Sequence, residues 1–172
     1  MSDDKFIPIV EAMLFASGEP LEIKQISKVL NLNVSQVEII IGKLVEKLKK
    51  NNSGISIIKL NNKYQMCSNP DYSEYIKDVL KINQSNALSS SAMEVLAIIA
   101  YNEPVTKSFI QNIRGVDCSK LINNLIEKSL IKETGRLDIP GKPIIYSTTE
   151  TFLRCFGLSS INDLPEVSNE GK

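Results

Sequence analysis

The chain of 172 residues contains no histidine. That excludes serine- and cysteine-hydrolase triads built on an imidazole base, and most zinc sites. The commonest general base of enzymes is missing as well. Its three cysteines, Cys67, Cys118 and Cys155, lie far apart, with no CxxC pair and no metal-type spacing. Cys67 and Cys118 sit in apolar-periodic surroundings and read as buried reduced thiols. A phosphate loop of the GxxxxGK[ST] kind is lacking around Gly141. No cofactor, metal or catalytic residue is therefore expected.

Charge of one sign is also in short supply. Twenty basic residues balance twenty acidic ones, for a formal net charge of zero, whereas a nucleic-acid binder usually carries a basic surplus. Arginine, the favoured reader of guanine, occurs only at Arg114, Arg136 and Arg154. No apolar run approaches the roughly 18 residues that would cross a bilayer. Met1-Ser2-Asp3-Asp4-Lys5 is an acidic start without the apolar run of a signal peptide. The expected address is cytoplasmic, with no membrane partner.

What is present is helical periodicity punctuated by turns. Hydrophobic residues make up 42% and charged residues 23% of the chain, ordinary for a globular protein. Residues 6–16 carry an apolar stripe broad enough to need cover on two surfaces: Phe6, Ile7, Ile9, Val10, Met13, Leu14 and Ala16. A turn at Ser17-Gly18-Glu19-Pro20 leads to a short helix over 21–30. Ser35-Gln36-Val37-Glu38 reads as a capping box opening a third helix. Lys43, Lys47, Lys49 and Lys50 load that helix's C-terminal half, where the macrodipole favours cations. Runs 55–60 and 63–67, separated by Asn61-Asn62, predict a hairpin.

The second half repeats the plan. Helical periodicity spans 93–101, 109–113 and 121–131, and two β-prone runs, 131–134 and 144–148, flank a Gly/Pro-rich loop. At an offset of 84 residues, Ala16, Glu19, Pro20, Ile26 and Ser35 fall on Ala100, Glu103, Pro104, Ile110 and Ser119, each identical. Asn31 falls on Gly115, and both types accept the left-handed conformation at which helices stop. Three helices followed by a strand pair is a winged helix. The fold expected is mainly α with small β-hairpins (α+β), as two tandem winged-helix domains.

The boundaries predicted are 1–80 for the first domain with a linking helix over 71–80, 81–90 for a polar linker, 91–165 for the second domain, and 166–172 for a frayed tail. The linking helix carries Tyr72, Tyr75, Ile76, Val79 and Leu80 on one stripe, expected to dock on a domain. Ser91-Ala92-Met93-Glu94 is a second capping box. Thr149 is placed to cap a last helix, 150–156, ended by Gly157, with an ordered end over 159–165.

The chain resembles the segregation and condensation protein B family. The resemblance is carried by Leu96-Ala97-Ile98-Ile99-Ala100-Tyr101, Glu103-Pro104-Val105, Ile113-Arg114-Gly115-Val116 and Leu125-Ile126-Glu127. It continues through Gly135-Arg136 to Pro143 with Tyr146, then Thr148-Thr149, Phe152-Leu153 and Phe156-Gly157-Leu158. Glu11 to Leu21 is similar to the same family's opening. One departure is Leu137, which stands where the family has a polar residue beside the arginine.

The resemblance implies two winged-helix domains and homodimerisation largely through the first. It also implies binding to a kleisin, segregation and condensation protein A, which bridges an SMC ATPase in the bacterial condensin complex. A nucleoid association follows. Partner contact is assigned to Tyr101, Arg114, Arg136, Asp138, Pro140, Pro143 and Tyr146, and the dimer interface to Phe6, Ile7, Val10, Leu14 and Phe15. Plainer readings stand beside these. The wing glycines and prolines shape a rigid loop, Arg136 pairs with Asp138, Tyr101 is a partly buried tyrosine, and the residues of 6–15 are core. The alternative function is a winged-helix DNA-binding transcription regulator, although few phosphate contacts leave DNA affinity weak at physiological salt.

Overall fold

In the computed structural model, residues 3–81 and 88–166 are described. The chain divides into two compact units, Met1–Asn83 and Gln84–Lys172.

The first unit starts with a 3-10 turn at Asp3–Phe6 and helix α1, Ile7–Ser17, stopped by Gly18 at φ 64°. Strand β1, Leu21–Glu22, precedes α2, Ile23–Leu30, and α3, Val34–Lys50. Strands β2, Ile55–Leu60, and β3, Lys63–Ser68, form the hairpin, and β1 adds to its far side to give the order β1-β3-β2. A 3-10 turn, Pro70–Tyr72, and helix α4, Ser73–Val79, close the unit. Val10, Leu14, Ile23, Ile26, Val37, Ile40, Ile41, Leu44, Leu48 and Tyr64 make its core.

The second unit repeats this arrangement. It runs α5, Ser90–Asn102; β4, Val105–Thr106; α6, Lys107–Arg114; α7, Ser119–Glu127; β5, Ile131–Arg136; β6, Ile144–Thr148; and α8, Glu150–Phe156. Its strand order, β4-β6-β5, matches the first. The offset of 84 places β4 on β1 and α6 on α2 at both ends. Asn31 at φ 52° and Gly115 at φ 72° stop the paired helices in the same left-handed conformation. Leu21 pairs with Tyr64 and Val105 with Tyr146, so each short strand buries a tyrosine of its hairpin.

Several local expectations are corrected. The second helix begins at Ile23, because Leu21 and Glu22 are taken by the sheet. Helix α7 stops at Glu127, and Ser129 at φ 56° turns the chain into β5. The α3 cap is Asn33, two residues before the box read from the sequence; its side chain accepts from the Gln36 N–H at 2.8 Å. The tight turn decides this, since Leu32 donates to the Ser27 carbonyl and the Ser27 hydroxyl donates back, delivering Asn33 to the helix start. Likewise Ser89, not Ser91, caps α5 by accepting from Ala92 N–H. Asn33→Ala is expected to lower stability by about 1 kcal/mol while Ser35→Ala leaves it unchanged, measured by urea unfolding.

The linking helix is present as α4, shorter than expected; on its stripe Tyr75, Val79 and Leu80 are exposed and Ile76 is half-buried. At seven residues it is too short to be stable without the turn that anchors it. Most of the expected linker and nearly all of the expected tail lie outside the described residues. The Thr149 cap on α8 and its Gly157 stop are as read, and the ordered end contains a 3-10 turn at Ile161–Asp163. Cys118 is fully buried, Cys67 half-buried and Cys155 exposed.

Candidate functional site

Helix α6 begins where β4 leaves the sheet, with Thr106 as its cap, and this sets its first turn beside the wing formed by β5 and β6. The result is an open groove of about 410 Å³ lined by Lys107, Ser108, Gln111, Arg136, Pro143, Ile144 and Tyr146. Arg136, Pro143 and Tyr146 of the sequence assignment thus meet in one place. The Arg136 guanidinium donates to the Lys142 carbonyl at 3.1 Å, which closes the wing loop across its base. Arg136 therefore braces the loop as well as charging the groove.

Tyr146 departs from a simple contact residue. It is only 7% exposed, because β4 pairs over it, so it forms the groove floor. Burial, followed by the nearby Glu133 carboxylate, raises its phenol pKa and keeps it neutral. Gln111 is drawn aside by Asp117, which also accepts from the Ser119 hydroxyl at 2.6 Å and lies 3.7 Å from Lys107. The Ser119 hydrogen bonds hold the Asp117 carboxyl below its ordinary range, with Lys107 adding to the effect. Sequence reading missed Lys107, Ser108 and Gln111; their i, i+1, i+4 spacing at a helix start was the available signal.

The other assigned residues go elsewhere. Asp138 and Pro140 are exposed at the wing tip with Leu137 and Ile139. Tyr101 is half-exposed and donates its hydroxyl to the Pro165 carbonyl at 2.8 Å, in a separate cleft walled by Glu103, Ile161 and Leu164. Arg114 is locked to Glu94 at 2.9 Å with its side chain 12% exposed. It ties α6 to α5 and offers a partner little surface.

On the first unit, the sequence assigned Phe6, Ile7, Val10, Leu14 and Phe15 to an interface. Val10 and Leu14 belong to the unit's own core at 0% and 1% exposure, which corrects their placement. Phe6 and Ile7 are half-buried against that core. The outward face of α1 instead presents Ile9, Ala12, Phe15 and Ala16, with Phe15 75% exposed. Apolar residues thus run around almost the whole helix, a pattern of helices covered on every side.

Two of the four lysines of α3 are paired with acids. Lys43 pairs with Asp4 at 3.1 Å and Lys47 with Glu11 at 3.3 Å, both acids coming from the N-terminal segment. At the start of α3, where a recognition helix meets bases, the exposed residues are Val34, Ser35, Gln36, Glu38 and Ile39. The exposed residues of α7 include Lys120, Asn123, Asn124 and Glu127. Among the described residues no group of three or more histidine, cysteine or acidic side chains is placed to hold a metal. No helix among them is long and apolar enough to cross a membrane.

Fold and surfaces together define a tandem winged-helix protein in which the start of α3 carries no cation and the start of α7 carries one, Lys120. Residues 8–167 match the model of the family described as segregation and condensation complex subunit ScpB. The chain belongs to this family. It is 46% identical over 163 residues to segregation and condensation protein B of Clostridioides difficile, covering 94% of this chain and 91% of that one. It is also 46% identical over 163 residues to the same protein of Clostridium tetani, with 95% and 86% covered. The crystal structure of ScpB from Mycobacterium tuberculosis is 25% identical with a TM-score of 0.44, over 92% of this chain and 98% of that one.

Proposed function

We propose that the chain is a non-enzymatic accessory subunit of a condensin-like SMC–kleisin complex, a nucleoid-associated homodimer that binds the kleisin. The observation that carries this reading is how α3 and α7 are furnished. In a DNA-binding winged helix these helices supply cations, yet here Lys43 and Lys47 of α3 sit beside Asp4 and Glu11, its Lys49 and Lys50 lie at the far end from the base-facing start, and α7 carries Lys120 as its one lysine. Proteins, not phosphates, suit what remains.

In this reading the groove between α6 and the wing receives the kleisin. Arg136 and Lys107 supply charge at its rim, Pro143 and Ile144 supply apolar wall, and Tyr146 supports them from below. Asp138 and Pro140 extend the contact along the wing tip. Tyr101 adds a second contact from its own cleft, whereas Arg114 acts by holding α6 in place. The dimer forms through the outward face of α1, with Phe15 and Ile9 at its centre and Phe6 and Ile7 at its edge.

Calorimetry of the full chain with purified kleisin tests the assignment. Arg136→Ala is expected to weaken binding about tenfold or more, some 1.4 kcal/mol, without changing the sedimentation of the dimer. Tyr146→Ala is a poor probe because it opens the core; Tyr146→Phe is expected to bind normally. An unaltered affinity for the Arg136 variant removes the wing from the interface. A salt-sensitive shift with duplex DNA, and none with kleisin, would overturn the whole reading in favour of a regulator.

A further inference from the structure

The two hairpins differ at their free edges. In the second unit the outer strand is β5, whose residues from Lys132 to Arg136 are exposed and polar or small, and its register breaks between Glu133 and Gly135. Charge and a bulge are the usual means of blunting a sheet edge. The corresponding edge of the first unit is β2, Ile-Ser-Ile-Ile-Lys-Leu, which pairs with β3 without a break over its whole length. Its single protection is Lys59, and that ammonium is turned to Glu38 at 3.5 Å.

Hairpin geometry says which groups this edge offers. Leu60 and Lys63 close a two-residue loop, so they form a hydrogen-bonded pair, and the bonded pairs alternate from there. The far end agrees, since Asn69 N–H donates to the Gly54 carbonyl at 2.9 Å. Ile55, Ile57 and Lys59 therefore aim their backbone groups away from β3. The Ile55 N–H is taken by the Ser53 hydroxyl. The N–H and C=O of Ile57 and Lys59 are left facing outward.

Alongside this edge lies a groove of about 410 Å³ between α3, β2 and the turn before α4. Its apolar lining comes from Val45, Leu48, Ile57 and Tyr72, and Lys49 and Asp71 also border it. Unlike Lys43 and Lys47, Lys49 has no ion pair among the described residues.

We propose that β2 is a strand-addition site: an extended segment of a partner protein joins the first unit's sheet along Ile57 and Lys59, drops alternate apolar side chains into the groove, and sets a carboxylate against Lys49. Main-chain bonding provides affinity and the groove provides selectivity, as in other cases of β-augmentation. A second copy of this chain pairing through the same strand is disfavoured on charge, because β2 carries no acid to meet Lys49. The site is separate from the wing groove and stands whether or not the kleisin reading holds.

Selection of a phage-displayed library of random dodecapeptides on the full chain tests this. Enriched peptides are expected to alternate apolar residues and carry an aspartate or glutamate at one end. Their binding should protect the Ile57 and Lys59 amides from hydrogen exchange. Ile57→Pro removes an outward N–H and no ladder bond, so it should lower their affinity at least tenfold; the lost packing of Ile57 on the core should lower the melting temperature without unfolding the unit. Should that variant fold poorly, Lys49→Glu serves instead, with a several-fold loss expected, Lys49→Arg retaining binding and Asp71→Asn improving it. Recovery of no peptides, of peptides without alternation, or of peptides indifferent to both the edge and Lys49 would overturn the proposal. So would a change in sedimentation showing that β2 pairs with its own copy.

Discussion

Phe15→Glu is expected to convert the proposed homodimer into a folded monomer. Phe15 is 75% exposed within its own unit, so a charge there meets water when the chain is alone and costs the fold little. In a dimer the same carboxylate would be buried against an apolar face without a partner, a penalty of several kcal/mol. The dissociation constant should rise by a factor of 100 or more, read by sedimentation velocity across a concentration series, with circular dichroism unchanged. A variant that still sediments as a dimer would exclude the outer face of α1. Leu14→Glu cannot serve this purpose, because Leu14 is 1% exposed in the core and its replacement unfolds the unit.

The repeat supplies the second large effect. Ile26 and Ile110 are equivalent positions on α2 and α6, both 0% exposed. Truncation of either to alanine is expected to cost about 2–5 kcal/mol, the transfer term plus the cavity left behind. Each loss should be local in its readout. Hydrogen exchange of Ile26→Ala should show protection falling in α1 and α3, whose Val10, Leu14, Val37 and Ile40 share its cluster. For Ile110→Ala the loss should fall in α5 and in β4 and β6, the elements packed against α6. A cost below about 1 kcal/mol at either site would mean that the surrounding helices collapse to fill the space.

Much of the architecture was legible because it is written in local chemistry. The 3.6-residue period marked the main helices, the left-handed stops at Asn31 and Gly115 marked where paired helices end, and the offset of 84 tied the halves together. Other features depend on what lies across the chain. Strands β1 and β4 have two residues each, too few for a period, and exist because a hairpin arrives to pair with them. Asn33 and Ser35 both satisfy a capping pattern, and the Ser27–Leu32 hydrogen bonds choose between them.

The site was legible in part for the same reason. Arg136, Pro143 and Tyr146 share one hairpin and converge on one groove. Tyr101 and Arg114 sit on helices whose neighbours decide their roles, and those neighbours engage them through Pro165 and Glu94. An apolar stripe tells how much of a helix wants cover, not which side is covered from within. That is why Val10 and Leu14 were placed with Phe15.

The pairs Lys43–Asp4 and Lys47–Glu11 also bear on where molecules spend their time. Among chromosomes, phosphate is the most abundant ligand, and even millimolar-to-micromolar affinity for it would hold most copies of a small basic protein in unproductive complexes. A chain with no net charge, and with Lys43 and Lys47 set beside acids of its own, is drawn less strongly into that trap. In the role proposed above, occupancy of a protein partner would then follow that partner's abundance more than competition from DNA.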